Sequence, residues 1–210
     1  MCSALCSGPR RPPPVLVPAG GKSLPAEHAA VVFAFRGVEV TASEVLCLYE
    51  ALEAKGVPIW IDGGWCVDAL LGRQTRAHPD LDIAVERKFA ARLDQLLLDW
   101  GYRPRAVDGA TAWNRSVERQ GRVLDVHVFE FDAQGNHIYG VQYPYGSLSG
   151  EGVILESRVR CVAPEWMFKF KTAYTPREKD LRDVEALGAK YGFEIPATHR
   201  RPPGQETRNS

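Results

Sequence analysis

The chain has 210 residues, with 26 Lys and Arg balancing 26 Asp and Glu, 45% hydrophobic and 25% charged residues. That composition suits a globular protein with one sizeable core, and zero net charge lacks the basic excess of a dedicated binder of nucleic acid or anionic membrane. No apolar run nears the roughly 20 residues that cross a bilayer, so neither a nucleic acid nor a membrane is an expected partner.

Residues 1–37 differ from the rest. Pro9, Pro12, Pro13, Pro14, Pro18 and Pro25 crowd the start beside Arg10 and Arg11. Such a stretch buries too little apolar surface to offset its ordering entropy and reads as a disordered extension. Gly20-Gly21-Lys22-Ser23 imitates a phosphate loop, but Leu16 stands where that pattern requires a further Gly. Cys2 and Cys6 lack partners for a zinc site, and Cys47, Cys66 and Cys161 sit in apolar contexts that suit buried thiols. With no secretory pattern at the start, this usage points to a reducing cytoplasm.

Helix and strand signals alternate over residues 38–195. Thr41-Ala42-Ser43-Glu44 is a capping box opening a helix with Val45, Leu48, Tyr49 and Leu52 on one stripe. Residues 59–61 form a short strand into Asp62-Gly63-Gly64, and residues 65–71 a brief helix. Residues 81–85 alternate as a strand. Phe89, Leu93, Leu96, Leu97 and Trp100 have helical spacing. Residues 111–117 and 123–131 read as strands around a Gln120-Gly121 turn, with a further turn at 132–136. Short strands near 138–142 and 159–162 precede helices at 165–174 and 178–191, opened by Pro164 and Pro176. The fold class is α/β (α+β), and residues 196–210 read as a disordered tail.

Three places hold polar groups that a core does not require. In Asp80-Leu81-Asp82-Ile83-Ala84-Val85 the two acids share one strand face and the apolar residues the other. Carboxylates about 7 Å apart along a strand repel unless a cation joins them, and oxygen ligands favour Mg²⁺ or Mn²⁺. A solvated strand edge gives the same pattern. In Leu124-Asp125-Val126-His127 the alternation repeats, so Asp125 can add a third carboxylate if the two strands are neighbours, which periodicity does not decide. Trp60-Ile61-Asp62-Gly63-Gly64-Trp65 is a strand, a paired-glycine bend and a helix start, where backbone N–H groups can approach an anion.

Taken together, the order strand, Gly-Gly, helix, Asp-x-Asp strand and later Asp strand resembles the DNA-polymerase-β-like nucleotidyltransferases. Residues 60–85 are more closely similar to lincosamide nucleotidyltransferases and aminoglycoside 2''-adenylyltransferases, through Trp60, Gly63, Gly64, Trp65, Asp68, Gly72, Arg73, Arg76, His78, Asp80 and Asp82. The resemblance covers about residues 41–195. It implies a nucleotidyltransferase fold, a mixed sheet flanked by helices with C-terminal helices. It also implies Mg (or Mn)-dependent transfer of AMP from a nucleoside triphosphate, ATP by preference, to a hydroxyl of a small molecule such as an antibiotic. Asp80, Asp82 and Asp125 would be the catalytic, metal-holding acids. Gly63, Gly64, Arg76, His78 and Lys171 would face the triphosphate, with His78 equally suited to a structural hydrogen bond. Trp65 and Asp68 are expected to pack and to fix the loop, and Asp180 and Asp183 to be solvated or paired. A homodimer is compatible with the family. Alternatives on the same fold are modification of a protein partner and nucleotide binding without turnover. Residues 132–152, with Tyr139, Tyr143 and Tyr145, are either one wall of an acceptor cleft or a surface hairpin.

Overall fold

Thr41 starts the first helix as the sequence predicts: its side chain accepts from Glu44 N–H while the Glu44 carboxylate accepts from Thr41 N–H. In the computed structural model, which describes residues 39–201, helix α1 (Ala42–Ala54) leads to strand β1 (Ile59–Asp62) and helix α2 (Gly63–Leu71). Strand β2 (Asp80–Glu86), helix α3 (Arg87–Asp99), and strands β3 (Arg103–Arg105), β4 (Asn114–Arg119) and β5 (Arg122–Phe131) follow. Then come β6 (His137–Gly140), β7 (Gly150–Ile154), β8 (Ser157–Cys161), α4 (Pro164–Thr172) and α5 (Glu178–Tyr191). The Pro-rich extension, its false phosphate loop, Cys2 and Cys6 lie outside the described residues.

One mixed sheet carries all eight strands in the order β3-β4-β5-β2-β1-β8-β7, with β6 also pairing β5. The β4–β5 hairpin turns at Gln120 and Gly121, whose φ values of 54° and 79° are the left-handed backbone conformation that matches a two-residue turn to the right-handed twist of its strands. Strands β2 and β5 run parallel and β1 runs antiparallel to β2. Their inward residues, Ile59, Ile61, Leu81, Ile83, Leu124 and Val126, are buried among Leu52, Leu93 and Leu97 of the helices. Each such side chain contributes about 1.5–3 kcal/mol by leaving water. Because side chains alternate, this burial forces the intervening polar residues onto the opposite face.

Some elements depart from expectation. The sequence pattern gives no strand signal for β7 or for β3, Arg-Pro-Arg. The chain also continues past the expected boundary at 195: Ala197–His199 make a 3₁₀ turn, His199 is buried, and Arg201 pairs with Glu185. Cys66 and Cys161 are buried as expected, whereas Cys47 is only half-buried. Among the described residues no helix is long and apolar enough to cross a membrane.

Candidate active site

The sheet registers place four polar side chains in one row. Asp62 on β1 lies opposite Asp82 on β2, Asp82 opposite Asp125 on β5, and Asp125 opposite Ser116 on β4. Adjacent strands are about 4.8 Å apart, so three carboxylates stand side by side with Asp80 two residues along the same face. The parallel β2–β5 pairing answers the question that alternation left open. Asp62, at the end of β1, is an additional acid that the sequence reading placed only in the bend. Its signal was available, since it shares the strand parity of Trp60 and borders Gly63.

Electrostatics within the row are uneven. Burial would push Asp62 up, but the His127 imidazole, the Tyr143 hydroxyl and the Gly63 N–H hold it below its ordinary range. Tyr143 OH donates to Asp62 Oδ2 at 2.5 Å, Gly63 N–H to Oδ1 at 2.7 Å, and His127 Nδ1 lies 3.3 Å from Oδ2. Asp82 has the opposite fate. Burial raises it, His127 opposes, and the charges of Asp62, Asp80 and Asp125 add, leaving it at about 7. Asp125 Oδ1 accepts a short hydrogen bond from Ser116 Oγ.

The row borders an open cleft of about 490 Å³, whose lining includes Asp62, Gly63, Gly64, Asp80, Asp82 and His127. Its lining also includes Arg76, Lys171, Arg177 and Lys179, together with Val141, Tyr143, Met167 and Phe170. Asp125 is beside Asp82 in the sheet but is not among the residues lining the cleft. Among the described residues no three acidic, His or Cys side chains are already gathered to enclose an ion. The donor chemistry nevertheless fits a hard divalent cation: an all-carboxylate set with excess negative charge, one member of which burial and its acidic neighbours raise to about 7.

Gly63 has φ +59°, and a Cβ there would fall on the Asp82 carboxylate. A Cβ at Gly64 would come 2.5 Å from both Arg76 Nη2 and His78 Nδ1. The paired glycines therefore let the helix start pass close against the acid row. The Gly63 N–H is used by Asp62, so it is not a free donor at this bend.

Arg76 lines the cleft while its guanidinium makes a two-point pair with Asp183, Nε to Oδ1 and Nη2 to Oδ2, each at 3.0 Å. Lys171 Nζ lies 3.0 Å from Asp183 Oδ2 and 3.4 Å from Asp180 Oδ1. Asp180 and Asp183 are thus paired and buried rather than solvated. Burial opposes the Asp180 charge, but Arg177 N–H, Tyr174 OH and Lys171 hold it down to about 2. His78 corrects the phosphate expectation. It is 1% exposed, its Nε2 is 2.5 Å from Asp68 Oδ2, and it backs Gly64 instead of facing the cleft. Asp68 fixes the loop as expected, accepting also from Thr75 N–H and Oγ1 at 3.1 and 2.6 Å. Trp65 packs on His78 with centroids 4.6 Å apart. Tyr143, for which the sequence leaves a cleft wall and a surface hairpin both open, is buried and lines the cleft.

The mixed sheet flanked by helices is a fold shared with solved nucleotidyltransferases. The lincosamide antibiotic adenylyltransferase LnuA, solved with lincomycin, is 25% identical with a TM-score of 0.61, over 72% of this chain and 99% of that one. ANT(2'')-Ia, solved with adenylyl-2''-tobramycin, shares the fold at 23% identity and a TM-score of 0.61, over 71% of this chain and 88% of that one. The class defined by fold and site is a nucleotidyltransferase. Residues 44–187 match the aminoglycoside-2''-adenylyltransferase family, and the chain belongs to it. A lincosamide resistance protein of Staphylococcus haemolyticus is 28% identical over 70% of this chain and 94% of its own length. A 2''-aminoglycoside nucleotidyltransferase of Klebsiella pneumoniae is 31% identical over 53% of this chain and 61% of its own length.

Proposed function

We propose that this enzyme moves AMP from ATP to a hydroxyl of a small-molecule antibiotic of the lincosamide or aminoglycoside kind and releases pyrophosphate. The single observation that supports this most is the side-by-side register of Asp82 and Asp125 beside the Gly63-Gly64 bend, with Asp80 on the same face. In the reaction the acceptor oxygen bonds to the α-phosphorus, the bond to pyrophosphate breaks, and the hydroxyl proton must leave. Asp80, Asp82 and Asp125 would hold Mg²⁺ (or Mn²⁺), which supplies neutralisation of the charge that grows on phosphoryl and leaving oxygens.

The remaining chemistry belongs to the chain's own groups. Arg76, Lys171, Arg177 and Lys179 line the cleft and give the triphosphate cationic partners. Lys171 has three N–H donors and two carboxylate neighbours, which leaves one for a phosphate oxygen. Asp125, with Oδ1 taken by Ser116, retains Oδ2 for the cation or the departing proton. The apolar stretch at Val141, Met167 and Phe170 offers a surface for the body of the acceptor. Incubation with ATP, Mg²⁺ and a panel of hydroxylated antibiotics should yield an acceptor heavier by one AMP in mass spectrometry. No adduct with any antibiotic, or label appearing on a protein hydroxyl, would overturn this reading.

A further inference from the structure

Tyr143 comes from the loop between β6 and β7, yet it is 2% exposed and reaches the acid row. Its ring is fixed edge-on to Phe129, centroids 5.6 Å apart, and contacts Phe170 at 6.2 Å. This packing aims the hydroxyl at Asp62 Oδ2, 2.5 Å away, and 3.2 Å from His127 Nδ1. The other Asp62 oxygen accepts from Gly63 N–H, and Asp62 is the cap of α2. Gly63 in turn lies so close to Asp82 that a Cβ there would meet its carboxylate.

We propose that Tyr143 is a positioning residue of the transfer reaction, acting through Asp62 to set the Gly63-Gly64 bend relative to Asp82. The chain of contacts is Tyr143 OH to Asp62 Oδ2, Asp62 Oδ1 to Gly63 N–H, and Gly63 against Asp82. Asp62 would otherwise turn: a buried carboxylate that loses a donor seeks another partner or a proton. The proposal rests on the transfer reading, because it assigns Tyr143 a part in the same site.

Tyr143→Phe keeps the ring and its packing and removes the hydroxyl. In the full-length protein, with the folded fraction checked by a urea melt, kcat for AMP transfer should fall about tenfold or more, as small misplacements at a reacting centre do. The KM for ATP should stay near wild type, a split that a merely stabilising residue would not produce. Adding Tyr143→Phe to Asp62→Asn should cost nothing beyond Asp62→Asn alone, since one acts through the other. Independently of any acceptor, the Gly63 amide resonance should shift in Tyr143→Phe and exchange faster with solvent. Wild-type kcat in Tyr143→Phe, multiplicative losses in the double variant, or an unmoved Gly63 amide would each overturn the proposal. If the wild-type protein labels no acceptor, the transfer reading fails, and the Gly63 amide still decides the link from Tyr143.

Discussion

Two sets of acids, one on the sheet and one on α5, are treated oppositely. Asp80, Asp82 and Asp125 stand on the sheet without an Arg or Lys partner in their row, and Asp82 is driven to about 7. Asp180 and Asp183 are more deeply buried than those three, yet Arg76, Lys171 and Arg177 surround them, and Asp180 is held at about 2. Burial alone therefore does not decide whether a carboxylate keeps its charge. Its counter-ions do. The balanced cluster ties α2's following loop and α4 to α5; the row holds more negative charge than His127 offsets.

This contrast can be broken first at the row. Asp80→Asn or Asp82→Asn should lower transfer by about 10²–10³-fold or more, the scale of losing a principal electrostatic stabiliser. Folding should be unharmed, because each change relieves repulsion; near-normal turnover in both variants, measured on folded protein, breaks the assignment. Asp125→Asn should reduce the rate while a non-hydrolysable ATP analogue still binds, and wild-type activity there moves the third acid elsewhere.

The balanced cluster should answer in stability. Asp183→Asn strips the half-buried Arg76 of its carboxylate and leaves Lys171 with Asp180 alone, which should cost about 3 kcal/mol, read from urea unfolding. An unchanged midpoint would show that the pairs are not formed in solution.

A finer distinction comes from protons. Asp82 binds its proton more tightly folded than unfolded, so without a divalent cation its contribution to stability is present below about pH 4 and is lost as pH rises through about 7. Asp180 has the reverse sign: its contribution is present above about pH 4 and is lost as pH falls through about 2. Mg²⁺ binding at pH 7 should consequently release about half a proton, and none near pH 9. Calorimetry in buffers of different ionisation enthalpy measures this directly, and pH-independent release would contradict it. The smallest effect is expected from the start of the chain: a protein beginning at Val38 should keep its melting temperature and its transfer rate.

Strand faces were legible wherever apolar residues alternate, as in Leu81, Ile83 and Val85, because burial of one set dictates the place of the other. Strand β7 was not, since two of its three inward residues are Gly150 and Gly152. Gly152 lets the strand lie against Ala69 of α2, where a Cβ would come within 2.7 Å, so the packing that makes the strand erases its hydrophobic signal. The exposed β3 pairs only at the sheet edge, and Pro104 is tolerated there.

The order of residues alone determined which side chains share a strand face, where helices begin, and which family the chain resembles, because those depend on neighbours along the backbone. Tertiary structure decided that Asp62, Asp82 and Asp125 form one row, that His78 serves Asp68, and that Arg76 meets Asp183 from 107 positions away. Local periodicity fixes orientation about an element's own axis, whereas pairing between elements is set by the packing of the whole core, and no segment encodes that by itself.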